Sequence, residues 1–394
     1  MITYDLVPWQ GALPARIGAE WDYLTALDTA TPLFNYREWL TLAEPCAPRA
    51  PRALLIIRQG AEPIALLPLQ KKSPWTWGLL SWFGQADQQL LLDPAREANA
   101  WTGVARWLRA TPIVAQLSLG ATCHAQRIDH FRQACDDVGL TCLVTAHEKP
   151  VVLSTVPESW EVFLASLGPR MRKDIRQAER ALERDFPDLT VDFLSDPSAC
   201  HAALDELITL HRQRWGDSLG GCIFDKASHC VQYHLALEWA LRRGWATISA
   251  VRAGGHTLAT QALFHIPGQQ ALYAQFIARD TERLPKRYSP GIVLMSHMLR
   301  WAMAREVSQV NLGAGAGAYK LVFNGEPLPR WKLAMARSPL GATVAHTINR
   351  GLYLAQRTPR YTTFYAQRLL DGIAHRYDGM APGGEEPGYA GVGE

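Results

Sequence analysis

The 394-residue sequence predicts an α/β (α+β) protein made of two related mixed-sheet halves with flanking helices. Length asks for two domains or two halves. Short β-type apolar runs alternate with apolar runs at helical spacing from residue 1 to residue 340. The third observation is an internal repeat. Arg58-Gln59-Gly60-Ala61-Glu62-Pro63-Ile64-Ala65 aligns with Arg252-Ala253-Gly254-Gly255-His256-Thr257-Leu258-Ala259 at an offset of 194. The same offset carries the helix near Arg96 onto the helix at Pro290, and an offset of 193 carries Ala115–Ala121 onto Ser308–Ala314. Three elements in one order and nearly one register predict two copies of one unit.

The first half, 1–155, opens with a helix from Pro14 to Leu27 and a Pro-rich passage at Pro45, Pro48 and Pro51. A hairpin comes next, with Ala53–Ile57 and Pro63–Leu69 as strands about a turn at Gln59–Glu62. Trp75 to Phe83 reads as a third strand, Arg96 to Leu108 and His124 to Val138 as helices, and Val114–Leu119, Thr141–Val144 and Val151–Leu153 as strands. The second half, 156–340, starts with a helical segment over 158–186 interrupted at Gly168-Pro169. A strand at Leu189–Phe193, a helix over Pro197–Trp215, a Gly-rich loop over Gly216–Phe224 and a helix over Lys226–Arg243 lead to the second hairpin. Its strands are Ala246–Val251 and Leu258–Ile266 about Gly254-Gly255, followed by Ala271–Ile277, a helix from Ser289 and a strand over Pro329–Met335. Tyr361, Phe364, Tyr365, Leu369, Leu370, Ile373 and Tyr377 give a helical extension over 341–378, and the Gly-, Pro- and Glu-rich 379–394 reads as a disordered tail.

A composition of 48% hydrophobic and 20% charged residues is that of an ordinary globular chain. A net charge of +3 excludes a polycation. No apolar run is long enough to span a bilayer, and Met1–Leu6 lacks a signal-peptide pattern, so no integral membrane association is expected. Seven cysteines without a Cys-x-x-Cys pair read as reduced thiols of a cytoplasmic protein. Cys222, His229, Cys230 and His234 do not follow a common zinc order, and no metal is expected.

The stretch with most chemistry is Lys286-Arg287-Tyr288-Ser289-Pro290-Gly291, between a strand and a helix. Ser289 suits an N-cap, Pro290 the first helical position, and Gly291 lets a ligand approach the backbone. With unpaired N–H groups and two cations, such a corner binds phosphate or pyrophosphate; it could equally be a plain helix start. The first half has Leu92-Asp93-Pro94-Ala95-Arg96-Glu97 there, with two carboxylates and no glycine, so the site is expected in the second half only. Arg172, Arg176, Arg180 and Arg184 form a stripe at helical spacing, either a solvated face or a docking surface for an anionic group.

Three stretches carry a family resemblance: Arg170-Met171-Arg172-Lys173-Asp174-Ile175-Arg176-Gln177-Ala178-Glu179-Arg180, Tyr288-Ser289-Pro290-Gly291 and Gly317-Ala318-Tyr319-Lys320. They resemble the GNAT acyltransferase superfamily in a tandem GNAT arrangement. The chain is similar to the acetyltransferases associated with bacterial cellulose and exopolysaccharide biosynthesis and, more distantly, to Fem-type aminoacyltransferases. The resemblance covers roughly residues 155–335. It departs from the usual acyl-CoA loop in having one glycine and one extra residue, and it has Asn311 and Ala318 where relatives often carry acids. The resemblance implies an acyl-CoA-dependent N-acyltransferase using acetyl-CoA as co-substrate and a small-molecule or carrier-bound amine as acceptor. It implies Gln275, Phe276, Ile277, Lys286, Arg287, Tyr288, Ser289, Pro290, Gly291 and Lys320 as acyl-CoA contacts, with Lys320 alternatively capping a helix end. Tyr319 matches the general acid of many such enzymes, or packs beside Phe323. Asp280, Glu282 and His265 are the candidates for general base, and Arg172, Arg176, His211 and Trp215 for acceptor binding. A transferase using aminoacyl-tRNA, and a non-catalytic binding protein of an exopolysaccharide system, are the alternatives.

Overall fold

The computed structural model describes residues 1–27, 33–42, 50–80, 90–216, 221–284, 288–341, 343 and 347. The strands of the N-terminal part are β1 (Ile2–Pro8), β2 (Arg52–Gln59), β3 (Glu62–Ser73), β4 (Thr76–Leu79), β5 (Leu91–Leu92), β6 (Gln116–Thr122) and β7 (Thr141–Ala146). The later strands are β8 (Val151–Thr155), β9 (Thr190–Leu194), β10 (Ala246–Ala253), β11 (His256–His265), β12 (Ala271–Arg279), β13 (Gln309–Ala314), β14 (Gly325–Leu328) and β15 (Trp331–Ala336). The helices are α1 (Ala15–Leu27), α2 (Arg37–Thr41), α3 (Glu97–Ala110), α4 (Ala125–Asp137), α5 (Trp160–Ser166), α6 (Pro169–Asp185), α7 (Pro197–Trp215), α8 (Ala227–Leu241), α9 (Pro290–Met303) and α10 (Ala318–Val322). The expected C-terminal helix and tail lie outside the described residues, apart from positions 341, 343 and 347.

Two mixed sheets result, ordered β1-β2-β3-β4-β6-β15-β7 and β14-β8-β13-β12-β11-β10-β9, with β5 paired to β3. In each, four antiparallel strands lead into a parallel pair joined through a helix: β4 with β6 through α3, and β12 with β13 through α9. The internal repeat extends to single residues. The first hairpin shifts register between Ile57 and Arg58, the second between Val251 and Arg252, at the offset read from sequence. Arg58 pairs with Asp5 of β1 and Glu20 of α1; Arg252 pairs with Asp192 of β9 and Glu206 of α7. The same three-charge clamp therefore ties hairpin, edge strand and the helix that follows that strand in both halves.

The halves are not separable. β8 lies before the expected boundary at 155, yet it pairs with β13 and β14 in the second sheet. β15, from the end of the second half, pairs with β6 and β7 in the first. Each half thus lends its last strand to the other. A short apolar run such as Val151–Leu153 reads alike in either sheet, so nothing in its residues signals the exchange. Sequence also missed β1, whose burial follows no clean alternation. A further tie is hydrophobic. Leu33, Phe34 and Trp39 sit in the core formed by α7, α8 and the second sheet, with Phe34 edge-on to Tyr273 at 5.8 Å and Trp39 to Phe264 at 5.6 Å. The opposite face of that sheet is covered by α9 and α6 through Met295, Met298, Ala178 and Leu182.

Met335 on the exchanged β15 is fully buried in the first half's core. Truncation to alanine should cost about 2–5 kcal/mol through lost burial and a cavity. The strand exchange adds that urea unfolding should remain one transition, shifted as a whole; a first half that melted separately in this variant would contradict the coupling.

Candidate active site

The second sheet opens at one end. β12 and β13 pair only at Ala271–Gln309, Leu272–Val310 and Tyr273–Asn311, and then diverge. On its other side β12 is bulged: Gln275 faces Ala262 and Ala278 faces Thr260, so Phe276 and Ile277 oppose Gln261 alone. Phe276 adopts a left-handed backbone, φ 47, which is strained for a residue with a side chain. The bulge turns the edge of β12 from Gln275 onward into the gap beside β13.

At the end of the gap stands the N-terminus of α9. Pro290 begins the helix, as expected. Ser289 does not act as an N-cap: its backbone is left-handed at φ 44, its side chain makes no capping bond, and its carbonyl accepts from Ile292 N at 2.9 Å. A β-carbon on Gly291 would meet only Ile277 Cδ1, at 3.8 Å, so protein packing does not require glycine there. Tyr288 is buried, donates to Asp185 Oδ2 at 2.8 Å and packs on Phe186, supporting the corner from α6. Asp280 is buried and accepts from Glu282 N and Arg283 N at 2.9 Å each, while its own N–H donates to Leu258 O. Asp93 N–H donates to Ile64 O at the equivalent place, which marks both aspartates as loop organisers. Lys286 and Arg287 lie outside the described residues.

The other wall is the turn after β13. Asn311 Oδ1 accepts from Gly313 N, and Gly313 and Gly315 have φ 74 and φ 87, a left-handed run that suits glycine. Lys320 is buried and its Nζ donates to Gly313 O at 3.3 Å and Ala314 O at 2.8 Å. Burial, and then the nearby Lys149, lower its pKa to about 8. Burial raises the pKa of Tyr319, with Arg214 opposing. Arg214 lies over the Trp215 ring at 4.9 Å. His211, one turn earlier on α7, is edge-on to Phe224 at 5.2 Å and to Phe276 at 5.9 Å, and its Nδ1 is 3.1 Å from Cys222 Sγ.

Ile277 lies at Gly291, His211 packs on Phe276 and Trp215, and Arg214 acts on both His211 and Tyr319, the neighbour of Lys320. Other expected residues fall elsewhere. His265 bonds Gln269 O and stands edge-on to Trp301, about 16 Å along α9 from Pro290 at the helical rise, which removes it from the corner. Glu282 is exposed on the loop beyond Asp280. Arg176 lines a separate groove with Trp160, Leu164, Glu179, Arg180 and Glu183, and Arg172 lies one turn earlier on the same helix. Among the described residues no group of His, Cys, Asp or Glu is placed to hold a metal ion. Sequence reasoning missed Arg214, Cys222 and Phe224 as neighbours of the gap, because nothing in their spacing signals it.

Residues 169–321 match the family model described as "Acetyltransferase (GNAT) domain". The chain carries a GNAT domain. Since the first sheet repeats the strand order of the second, the whole is a tandem GNAT fold, an acyltransferase-type architecture. Among solved structures, FemX superposes with a TM-score of 0.57 at 11% identity, over 82% of this chain and 97% of that one. L-PGS from Bacillus licheniformis gives 0.51 at 10% identity, over 87% and 98%. A tandem GNAT protein from the clavulanic acid biosynthesis pathway gives 0.47 at 15% identity, over 86% and 99%. At such identities the likeness is one of fold. No curated protein sequence matches the chain. Among the described residues no helix is long and apolar enough to cross a membrane.

The GNAT domain's Lys320 gives a test of the gap's wall. Its folded pKa of about 8 lies below the ordinary lysine value of 10.5, so the unfolded chain holds the extra proton between these values. Stability should therefore rise with pH from about 8 to 10.5. Neutral Nζ still has two N–H groups for its two carbonyls. In Lys320→Met that rise should be absent, which urea midpoints at the two ends of the range measure; parallel pH profiles for both proteins would refute the assignment.

Proposed function

We propose that the protein is an acyl-CoA-dependent N-acyltransferase that moves an acyl group, foremost acetyl from acetyl-CoA, to an amine acceptor. The observation that carries this reading is the gap between β12 and β13, bulged at Phe276 and ending at the open N-terminus of α9. The Gly291 N–H and the positive end of the helix dipole favour a pyrophosphate at Gly291. An extended thioester arm fits a gap lined on both sides by strand edges. In this reading main-chain N–H groups around Gln275–Ile277 polarise the thioester carbonyl.

Four residues share three tasks in this reading. Lys320 holds the Gly313–Ala314 carbonyls and with them the shape of the gap, and does not act as a phosphate ligand. Tyr319, kept protonated by burial, donates a proton to the departing CoA sulfur. His211 and Trp215 border the acceptor side. The corresponding helix of the first half differs: among the described residues Glu97, in the first turn of α3, takes Arg127 Nε and Trp101 Nε1 at 3.1 Å each, which puts a carboxylate near a helix start where an incoming phosphate would be repelled.

Acetyl-CoA should raise the melting temperature, as any ligand of the folded state alone does. Gly291→Glu should abolish that shift and calorimetric CoA binding while the unliganded melting temperature holds, because the space above Gly291 is open. Unchanged CoA affinity in this variant would defeat the pyrophosphate assignment. Tyr319→Phe keeps the ring and removes the hydroxyl; turnover should fall by about 10²–10⁴-fold with acetyl-CoA affinity retained. Full turnover in Tyr319→Phe would take the tyrosine out of the mechanism.

A further inference from the structure

Acyl transfer to an amine needs a group that removes the amine proton, and the carboxylates expected for this are engaged or misplaced. Both Asp280 oxygens serve its own loop, through Glu282 N, Arg283 N and the Arg283 guanidinium at 3.4 Å. Glu282 is exposed, and Asp225 Oδ2 accepts from Cys222 N at 2.9 Å. Asn311 spends its side-chain oxygen on Gly313 N. His211 is differently placed. It sits on the last turns of α7, against the ring of Phe276, the residue that forms the bulge. Its ring is held on two further sides by Phe224 at 5.2 Å and Trp215 at 6.4 Å, and Nδ1 is anchored at Cys222 Sγ. Nε2 has no partner among the described residues.

Resting on the acyl-transfer reading, we propose that His211 is the catalytic base of this site, its Nε2 taking the proton of the attacking amine. The amine nitrogen bonds to the thioester carbonyl carbon and its proton passes to Nε2. The carbonyl π pair moves to oxygen during the attack and returns as the carbon–sulfur bond breaks with its electron pair on sulfur; Tyr319 protonates the sulfur, and the imidazolium proton passes through solvent to the tyrosinate, restoring both residues. The charged groups that act on His211 are Arg214 on its own helix and Asp225 from the segment before α8; Cys222 Sγ lies at its Nδ1 and the uncharged Phe276 faces it from β12. Burial foremost, and then Arg214, lower the His211 pKa to about 4, against the pull of Asp225, so the imidazole is neutral at physiological pH. A pKa of about 4 lies below the operating pH at which a general base is most effective, so the imidazole takes the proton only as the carbon–nitrogen bond forms and makes that proton more acidic.

Bromoacetyl-CoA tests the placement without knowledge of the acceptor. A nucleophile beside the acyl group displaces bromide and keeps the acyl-CoA as a stable adduct. Peptide mass spectrometry should find one adduct per chain, on His211, suppressed by excess CoA. A CoA-suppressible adduct on another residue with His211 unmodified overturns the proposal. No CoA-suppressible adduct anywhere, together with no acetyl-CoA thermal shift, overturns the acyl-CoA reading itself. Catalysis is tested with water as acceptor, by thiol release from acetyl-CoA. His211→Ala should lower this rate by about 10²–10⁴-fold at unchanged acetyl-CoA affinity, and added imidazole should restore part of it. A loss that imidazole does not restore assigns His211 a packing role only.

Discussion

The constraint on which the structure depends is the pairing of two inner sheet edges. The main-chain N–H and C=O groups of β6 and β13 are buried and must find partners. β13 finds its partner in β8 and β6 in β15, so each sheet is completed by chain from the other side of the molecule. The two connecting segments cross and bond to each other. His147 N–H donates to Arg330 O at 2.8 Å, and the buried Arg330 donates from Nε and Nη2 to Lys149 O at 2.9 and 2.8 Å. Burial, then Arg330, depress the His147 pKa to about 4, which keeps a second positive charge away from that crossing. The crossing also reaches the site: Gly315 N–H donates to Pro150 O at 2.8 Å. The turn that carries Tyr319 and Lys320 is thus braced by the connection between the halves.

On this shared frame the two corners differ by charge. Arg58 and Arg252 make the same clamp, and Asp93 and Asp280 the same loop bond. Past that loop bond the two helix ends are treated in opposite ways. Glu97 places a carboxylate at the start of α3, where the helix dipole stabilises it and Arg127 completes it. α9 starts with Pro290 and Gly291 and contributes no side chain to its own end. One helix carries a carboxylate in its first turn and the other does not.

The repeat was legible because it is written in residues that do a fixed job. Arg58 and Arg252 each stand at a register shift, and glycine-bearing turns tie down the hairpins at a constant offset. Helix bounds such as Pro169 and Pro197 were legible too, since proline is favoured in the first turn. Three things were not. The partner of a short strand is set by which edge is free, and Val151–Thr155 carries no sign of β13. The left-handed Phe276 lies in a β-type run of Leu, Tyr, Phe and Ile with no glycine, so the bulge is imposed by the strands around it rather than by local preference. Proximity across the fold was equally silent: His211 and Cys222 are joined by a hydrogen-bond distance of 3.1 Å, and Asp280 looked available only because its backbone partners are invisible in a sequence. His265 was misread for a related reason, because a strand position does not say which end of the sheet it occupies.

The GNAT domain recognised at residues 169–321 stops short of β14 and β15 and starts after β8. A polypeptide cut to those bounds would keep the corner, yet leave β13 with a bare edge and the Gly315 amide without Pro150. The half that carries Glu97 at its helix start therefore cannot be discarded. Its β6 receives β15, and the segment leaving its β7 becomes β8. Duplication here produced copies that are bound to a common inheritance: either may lose its chemistry, but neither can shorten, recombine or depart while the other remains folded.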